Sequence, residues 1–223
     1  DLSFKEDEKY PVLNGIDLYH RYKEDIKLMA EMGFKTYRFS IAWTRLIPNG
    51  TGEINQAGID HYNDVINTCL EYNIEPLVTM FHFDMPDALD KRGSWSNPES
   101  VDWFVNFAKV MFENFGDRVK YWLTINEQNM LTLVGPLIGT LRIPEGTTNV
   151  LKEVYQQNHH MLVAQAKAMV LCHEMLPNAK IGPAPNISYV YPATCKPEDN
   201  LAAQEYNAIR NWLYLDMSVY GKY

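Results

Sequence analysis

The chain alternates between two kinds of segment, and that order limits its fold more than any other feature. Short runs rich in aromatic and β-branched residues take turns with amphipathic runs at helical spacing. Leu18, Tyr22, Ile26 and Met29 recur at helical spacing, and Gly33 closes that run as a C-terminal cap. Residues 35–43 (KTYRFSIAW) read as a strand, followed by a turn-rich segment and a helix over about 58–72. Residues 75–83 (EPLVTMFHF) form the second strand. Asn97 is placed as an N-cap with Pro98 at the first helical position. Phe104, Phe107, Ala108, Met111 and Phe115 then make an apolar stripe that Gly116 stops. A third strand over 119–126 (VKYWLTIN), a long helix over 149–175, a strand near 179–186 and a helix over 200–217 complete the series.

Strict alternation implies an α/β fold with parallel strands and crossover helices. An open nucleotide-binding sheet usually shows a glycine-rich turn after its first strand, and none is present. Polar pairs follow the strands instead: Trp43 with Arg45, His82 with Asp84, and Asn126 with Glu127. Polar groups at the C-terminal ends of successive strands mark the active face of a (β/α)8 TIM barrel. About four of its eight strands are recognisable, so residues 1–223 read as one partial barrel domain, with the polypeptide expected to continue beyond 223.

The net charge of −8 and the lack of any Lys/Arg block argue against a nucleic-acid partner. No apolar run approaches membrane-span length, so no membrane is expected. Cys69, Cys172 and Cys195 are widely spaced and form no CxxC pair or His/Cys metal pattern. Such sparse cysteines point to a reducing compartment and a cytoplasmic protein. His159 and His160 are adjacent on a helix and face different directions, which does not suit a shared metal. The acidic opening (DLSFKEDEKY) reads as a solvated loop, and since Asp1 is not a natural start, the lack of a signal peptide says nothing of the whole protein. With 14 Tyr, 9 Phe and 5 Trp, the aromatic content suits a core and also a cleft that stacks sugar rings.

Three constellations carry chemistry. Thr124-Ile125-Asn126-Glu127 ends a strand with an amide and a carboxyl side by side. In glycoside hydrolysis one carboxylic acid must protonate the leaving oxygen, and Tyr121 and Trp122 are expected to desolvate Glu127 for that task. Asn126 would then hold a sugar 2-hydroxyl. Taken alone, Asn-Glu also fits a strand-end carboxylate that caps the next loop. Phe81-His82-Phe83-Asp84-Met85-Pro86 is the second constellation. His82 reads as a hydrogen-bond donor to sugar hydroxyls and Phe83 as an apolar platform, against the alternative of a structural histidine. The third is Arg38 within Tyr37–Trp43, where an arginine in an apolar strand demands a partner. That partner is a catalytic carboxylate or a structural ion pair.

Together these pieces resemble glycoside hydrolase family 1. The resemblance rests on Tyr19-His20-Arg21-Tyr22-Lys23-Glu24-Asp25-Ile26, Arg38-Phe39-Ser40-Ile41-Ala42-Trp43, Asn55 with Gly58, and Val78-Thr79 leading to His82 and Pro86. Phe115-Gly116-Asp117-Arg118-Val119-Lys120 and Trp122-Leu123-Thr124-Ile125-Asn126-Glu127 complete it. It implies retaining β-glycoside hydrolysis on a (β/α)8 barrel with no metal or organic cofactor. Glu127 would be the general acid/base, Asn126 and His82 would bind the sugar, and Arg38 would support a nucleophile. The family's nucleophile lies in a Thr-Glu-Asn-Gly motif on a later strand, and this chain has no such motif.

Two departures refine the expectation. Phe83 stands where most β-glucosidases of that family have Trp, and Gln128-Asn129 stands where most have Pro after the acid. Both look like the bacterial 6-phospho-β-glucosidase branch, so the expected partner is a small 6-phosphorylated β-glucoside. A plain β-glucosidase, a 6-phospho-β-galactosidase and a non-catalytic carbohydrate-binding half-barrel remain the alternatives.

Overall fold

A computed structural model describes residues 15–222, so the acidic opening lies outside the described residues. The chain enters through α1 (Leu18–Glu31), β1 (Thr36–Ser40), the short α2 (Trp43–Leu46) and α3 (Gln56–Glu71). Next come β2 (Glu75–Phe81), the short α4 (Asp87–Asp90) and α5 (Ser100–Phe115). β3 (Tyr121–Asn126) leads into two short helices, α6 (Gln128–Leu133) and α7 (Gly135–Ile138), before α8 (Val150–Met175). β4 (Lys180–Ala184), α9 (Pro197–Asn207), a π turn over Ala208–Trp212 and α10 (Leu213–Tyr220) follow.

All neighbouring strands are parallel and ordered β1-β2-β3-β4, so each is hydrogen-bonded to its neighbour in sequence. That order, with helices in every crossover, is the arrangement of four consecutive βα units of a (β/α)8 barrel. One sheet face packs on helices. Val78 and Met80 of β2 and Trp122 of β3 bury against Phe104, Phe107 and Phe115 of α5 and Met161 of α8, as the apolar stripe on α5 requires. Fully burying one such side chain is worth about 1.5–3 kcal/mol. Arg118 ties α5 to α3, donating to Asn114 O and to the Oδ1 atoms of Asn63 and Asn67. The opposite face is open along β1, where Thr36, Arg38 and Ser40 are exposed.

Several boundaries differ from the sequence reading, each for a local reason. β1 stops at Ser40, because Trp43 folds back to stack on Phe107 at 4.6 Å and its Nε1–H donates to Gly50 O at 3.0 Å. β2 stops at Phe81, because Phe83 has a φ of 69°, which no strand accommodates. β3 starts only at Tyr121, because the Val119 N–H still bonds Phe115 O in the turn that closes α5. Asn97 is not the N-cap of α5; Glu99 is, and Asn97 Oδ1 accepts the Glu99 N–H at 2.9 Å in the preceding turn. Pro98 therefore precedes the helix instead of opening it. Gly33 does end α1: its φ is 88°, and the N–H groups of Gly33 and Phe34 reach Ala30 O and Met29 O in the paired pattern of a left-handed cap.

Candidate active site

In a parallel sheet every strand ends at the same rim. The rim after β1 to β4 gathers Arg38, His82, Asn126, Glu127 and, just past β4, Asn186. Two of the turns leaving this rim are strained. Phe83 (φ 69°) follows β2, and Glu127 (φ 43°, ψ 47°) follows β3. A left-handed conformation costs a side-chain-bearing residue about 1–2 kcal/mol. Both positions accept it where chemistry is expected.

Asn126 reaches the rim through a defect in its strand. Trp122 and Thr124 face the helices, Thr124 Oγ1 donating to Gln165 Oε1 at 2.9 Å. Strict alternation would send Asn126 the same way. The pairing with β4 slips between Leu123 and Asn126, where three steps along β3 match two along β4. Such a bulge re-aims the side chain that follows it. Asn126 Oδ1 thus accepts the Arg38 Nη2–H at 2.6 Å across two strands, while the Arg38 Nε–H goes to Thr79 Oγ1 at 2.9 Å.

The carboxylate expected beside Arg38 is the nucleophile of a later strand, which these residues do not include. Arg38 is exposed on the open sheet face, and among the described residues its hydrogen bonds go to two neutral groups and to no acid. Arginine only donates, so its bond fixes the Asn126 amide with Oδ1 toward Arg38 and Nδ2 free to donate elsewhere.

Glu127 is half-buried, and Asn186 Nδ2–H donates to its Oε1 at 2.7 Å. Tyr121 does not shield it. Tyr121 opens β3 and is exposed, roughly six residues from Glu127 at about 3.3 Å each. The group that meets the carboxylate comes from just past β4, and sequence reasoning did not single it out. The only available signal was that Asn186 ends a run of strand residues, as Asn126 does.

His82 is exposed at the rim, its ring edge-on to Phe83 with centroids 5.3 Å apart. Phe83 is partly buried against the core, with less free surface than a platform implies. Asp84 serves the backbone: its two carboxylate oxygens accept the N–H groups of His82 and Trp43, both at 3.1 Å, joining the ends of β2 and β1. Trp43 is fully buried and belongs to the core. Arg45 lies over the Tyr19 ring at 4.7 Å and donates to Tyr62 Oη, away from Glu127. Gln128 and Asn129 are also buried. Gln128 Nε2–H donates to Asn158 Oδ1 at 2.8 Å, and Asn129 bonds the backbone of Asn186.

Burial pushes the Cys69 thiol up to about 12 and the Cys172 thiol to about 11, so neither is a nucleophile at neutral pH. His160 is used structurally, with Nδ1 against Trp95 O at 2.7 Å and Nε2 against Gln156. Among the described residues no group of three or more His, Cys, Asp or Glu could hold a metal ion, and no helix is long and apolar enough to cross a membrane.

A parallel sheet wound in sequence order, with an amide, a carboxyl, an imidazole and a guanidinium on its C-terminal rim, defines half of a (β/α)8 barrel with an active face. The sequence matches the glycosyl hydrolase family 1 profile over residues 5–223, and the chain belongs to that family. It is 46% identical to the 6-phospho-β-glucosidase AscB of Escherichia coli over 225 residues, covering all of this chain and 47% of that protein. It is 41% identical to a 1,4-β-D-glucan glucohydrolase of Thermotoga neapolitana over 93% of this chain and 48% of the relative. The structure of a β-glucosidase from Thermotoga maritima in complex with glucoimidazole superposes with a TM-score of 0.84 at 42% identity, over 93% of this chain and 47% of that one. The chain thus spans about half the length of the curated relatives it matches.

Proposed function

We propose that this chain supplies the proton-donating half of a retaining β-glycosidase that acts on 6-phospho-β-glucosides in the cytoplasm. The observation that carries the reading is Glu127, held on the barrel rim next to Asn126 with one carboxylate oxygen bonded and the other free of protein hydrogen bonds among the described residues. In the first step a carboxylate from outside this chain attacks the anomeric carbon, and Glu127 gives its proton to the departing oxygen. In the second, Glu127 takes a proton from water, whose oxygen attacks the same carbon and releases the carboxylate. Asn126, with Nδ2 free to donate, and His82, exposed beside it, are the groups placed to hold sugar hydroxyls.

The phosphorylated substrate is supported by Phe83 and by the 46% identity to an E. coli 6-phospho-β-glucosidase across the whole chain. Gln128-Asn129 in place of proline supports it as a resemblance in sequence and not as a substrate contact, since both side chains are buried. The relatives also include proteins named as plain β-glucosidases at 42% identity, which sets the competing reading. The deciding experiment compares kcat/KM of the intact protein on aryl β-glucoside 6-phosphates and on the same aryl β-glucosides without phosphate. We expect a preference for the phosphorylated series; equal or better turnover of the plain series assigns the enzyme to unphosphorylated glucosides.

A further inference from the structure

We propose that Asn186 is a positioning residue for Glu127, held in place by Asn129 and Arg210; the inference rests on the glycosidase reading of Glu127. The Asn186 amide donates Nδ2–H to Glu127 Oε1 at 2.7 Å. That bond occupies one carboxylate oxygen and leaves Oε2 as the one that meets the leaving oxygen.

Every other polar atom of Asn186 is held. Arg210 Nη2–H donates to its Oδ1 at 2.7 Å, and because arginine cannot accept, the amide cannot turn its oxygen toward Glu127. Its backbone O accepts from Arg210 Nη1 at 2.5 Å and from Asn129 Nδ2 at 2.8 Å, and its backbone N–H donates to Asn129 Oδ1 at 3.0 Å. The same device repeats along the segment. Asn211 bonds both the N–H and the C=O of Ser188, and Asn207 bonds both of Val190. Three asparagine side chains thus grip the backbone at Asn186, Ser188 and Val190, as a fifth strand would. Arg210 and Asn211 lie in the π turn over Ala208–Trp212, and Asn207 directly precedes it. The wider turn of a π segment is an irregularity found frequently at functional sites. A loop fastened at alternate residues presents a fixed donor, and proton transfer requires that kind of fixed geometry.

The test uses the intact protein and four forms: wild type, Glu127→Gln, Asn186→Ala and the double variant, with Asn186→Asp as a size-conserving companion that keeps the Arg210 contact and loses the donated N–H. Each is assayed by kcat/KM on aryl β-glucosides of rising leaving-group pKa, phosphorylated or plain as the enzyme prefers, and each is melted. We expect Asn186→Ala to lower kcat/KM roughly 10–100-fold on poor leaving groups and little on dinitrophenyl substrates. We expect almost no further loss when it is added to Glu127→Gln, because the two act as one unit. Equal loss across all leaving groups, or additive losses in the double variant, overturns the proposal and leaves Asn186 a stability residue. If Asn186→Ala does not fold, Asn186→Asp decides by the same two criteria. If Glu127→Gln itself shows no dependence on leaving group, the glycosidase reading of Glu127 fails, which is a separate result.

Discussion

Arg38 donates to Asn126 at 2.6 Å, joining β1 to β3 across the open face of the sheet and across 88 positions of sequence. The bond turns the Asn126 Nδ2–H group toward the site. Replacing Arg38 with Met removes the only group that, among the described residues, fixes this orientation. We expect kcat/KM of the intact protein to fall at least about tenfold on a β-glucoside, equivalent to about 1.4 kcal/mol. A 2-deoxy-β-glucoside, which has no hydroxyl for Asn126 to hold, should lose far less. Parallel kinetics on the two sugars read the difference, and equal losses would show that Arg38 acts elsewhere.

Glu127→Gln removes the transferable proton and keeps the side chain's size. In the intact protein the first step should collapse for alkyl glycosides and survive for dinitrophenyl glycosides, which leave without protonation. The second step still lacks its base, so added azide should restore turnover and yield a glycosyl azide. Product analysis by mass spectrometry checks this. Equal losses on both substrates with no azide product would count against the acid/base role.

Much of this site was legible in the sequence, and its limits have a physical cause. The alternation of periods located all four strands, because a buried strand and an amphipathic helix repeat apolar residues differently. Asn126, Glu127, His82 and Arg38 were legible because each follows or interrupts an apolar strand. Asn186 and its bond to Glu127 were not, since the two residues are 59 positions apart and only the pairing of β3 with β4 joins them. The burial of Gln128 and Asn129 was not legible for a related reason: only the left-handed turn at Glu127 carries these two polar residues into α6 and under the surface. Trp43 did mislead, as strand-like chemistry that the core uses.

Gly58 sits where helix packing leaves no room for a side chain. A Cβ at this position would lie 1.9 Å from the backbone oxygen of Arg45, which also accepts from Asn55 Nδ2. A backbone atom cannot swing aside as a side chain can, so Gly58→Ala must push α3 away from α2. We expect about 1–3 kcal/mol of destabilisation. In the intact barrel, since this chain spans about half the length of its relatives, that lowers Tm by roughly 1–2 °C per kcal/mol. Calorimetry of the intact variant protein should show the shift, with KM nearly unchanged because Gly58 lies where α3 meets α2 and not at the end of β3.

The chain taken by itself should hydrolyse no glycoside. Retention needs a second carboxylate roughly 5–5.5 Å from the acid. Among the described residues the strand-end alternative is Asp84, and both its oxygens already accept backbone N–H groups. Incubation with a nitrophenyl β-glucoside, phosphorylated or plain, checks this. Turnover abolished by Glu127→Gln would reveal a nucleophile within these residues.

The same chain should also fail to persist as a folded monomer. A closed barrel has no sheet edge, whereas among the described residues the order β1-β2-β3-β4 leaves β1 and β4 each with one unpaired side. Exposed strand edges of this kind pair with other copies unless charge or proline blunts them. β1 (TYRFS) carries one charge and no proline. Its neighbourhood adds apolar surface, with Phe34 at 48% and Met32 at 71% exposure. On the far side Leu137 and Ile138 stand 86% and 64% exposed, and Tyr189 and Tyr191 add to them past β4. The interior layers that fill a barrel come from alternate strands around the whole circle, so half of them have no counterpart here. Each large side chain left in water forgoes about 1.5–3 kcal/mol. Several such losses exceed the 5–15 kcal/mol margin typical of a domain. Size-exclusion chromatography with calorimetry should therefore show oligomers or a broad, non-cooperative transition. A monomeric peak with one sharp, reversible transition would mean that four βα units suffice and that the edge argument fails.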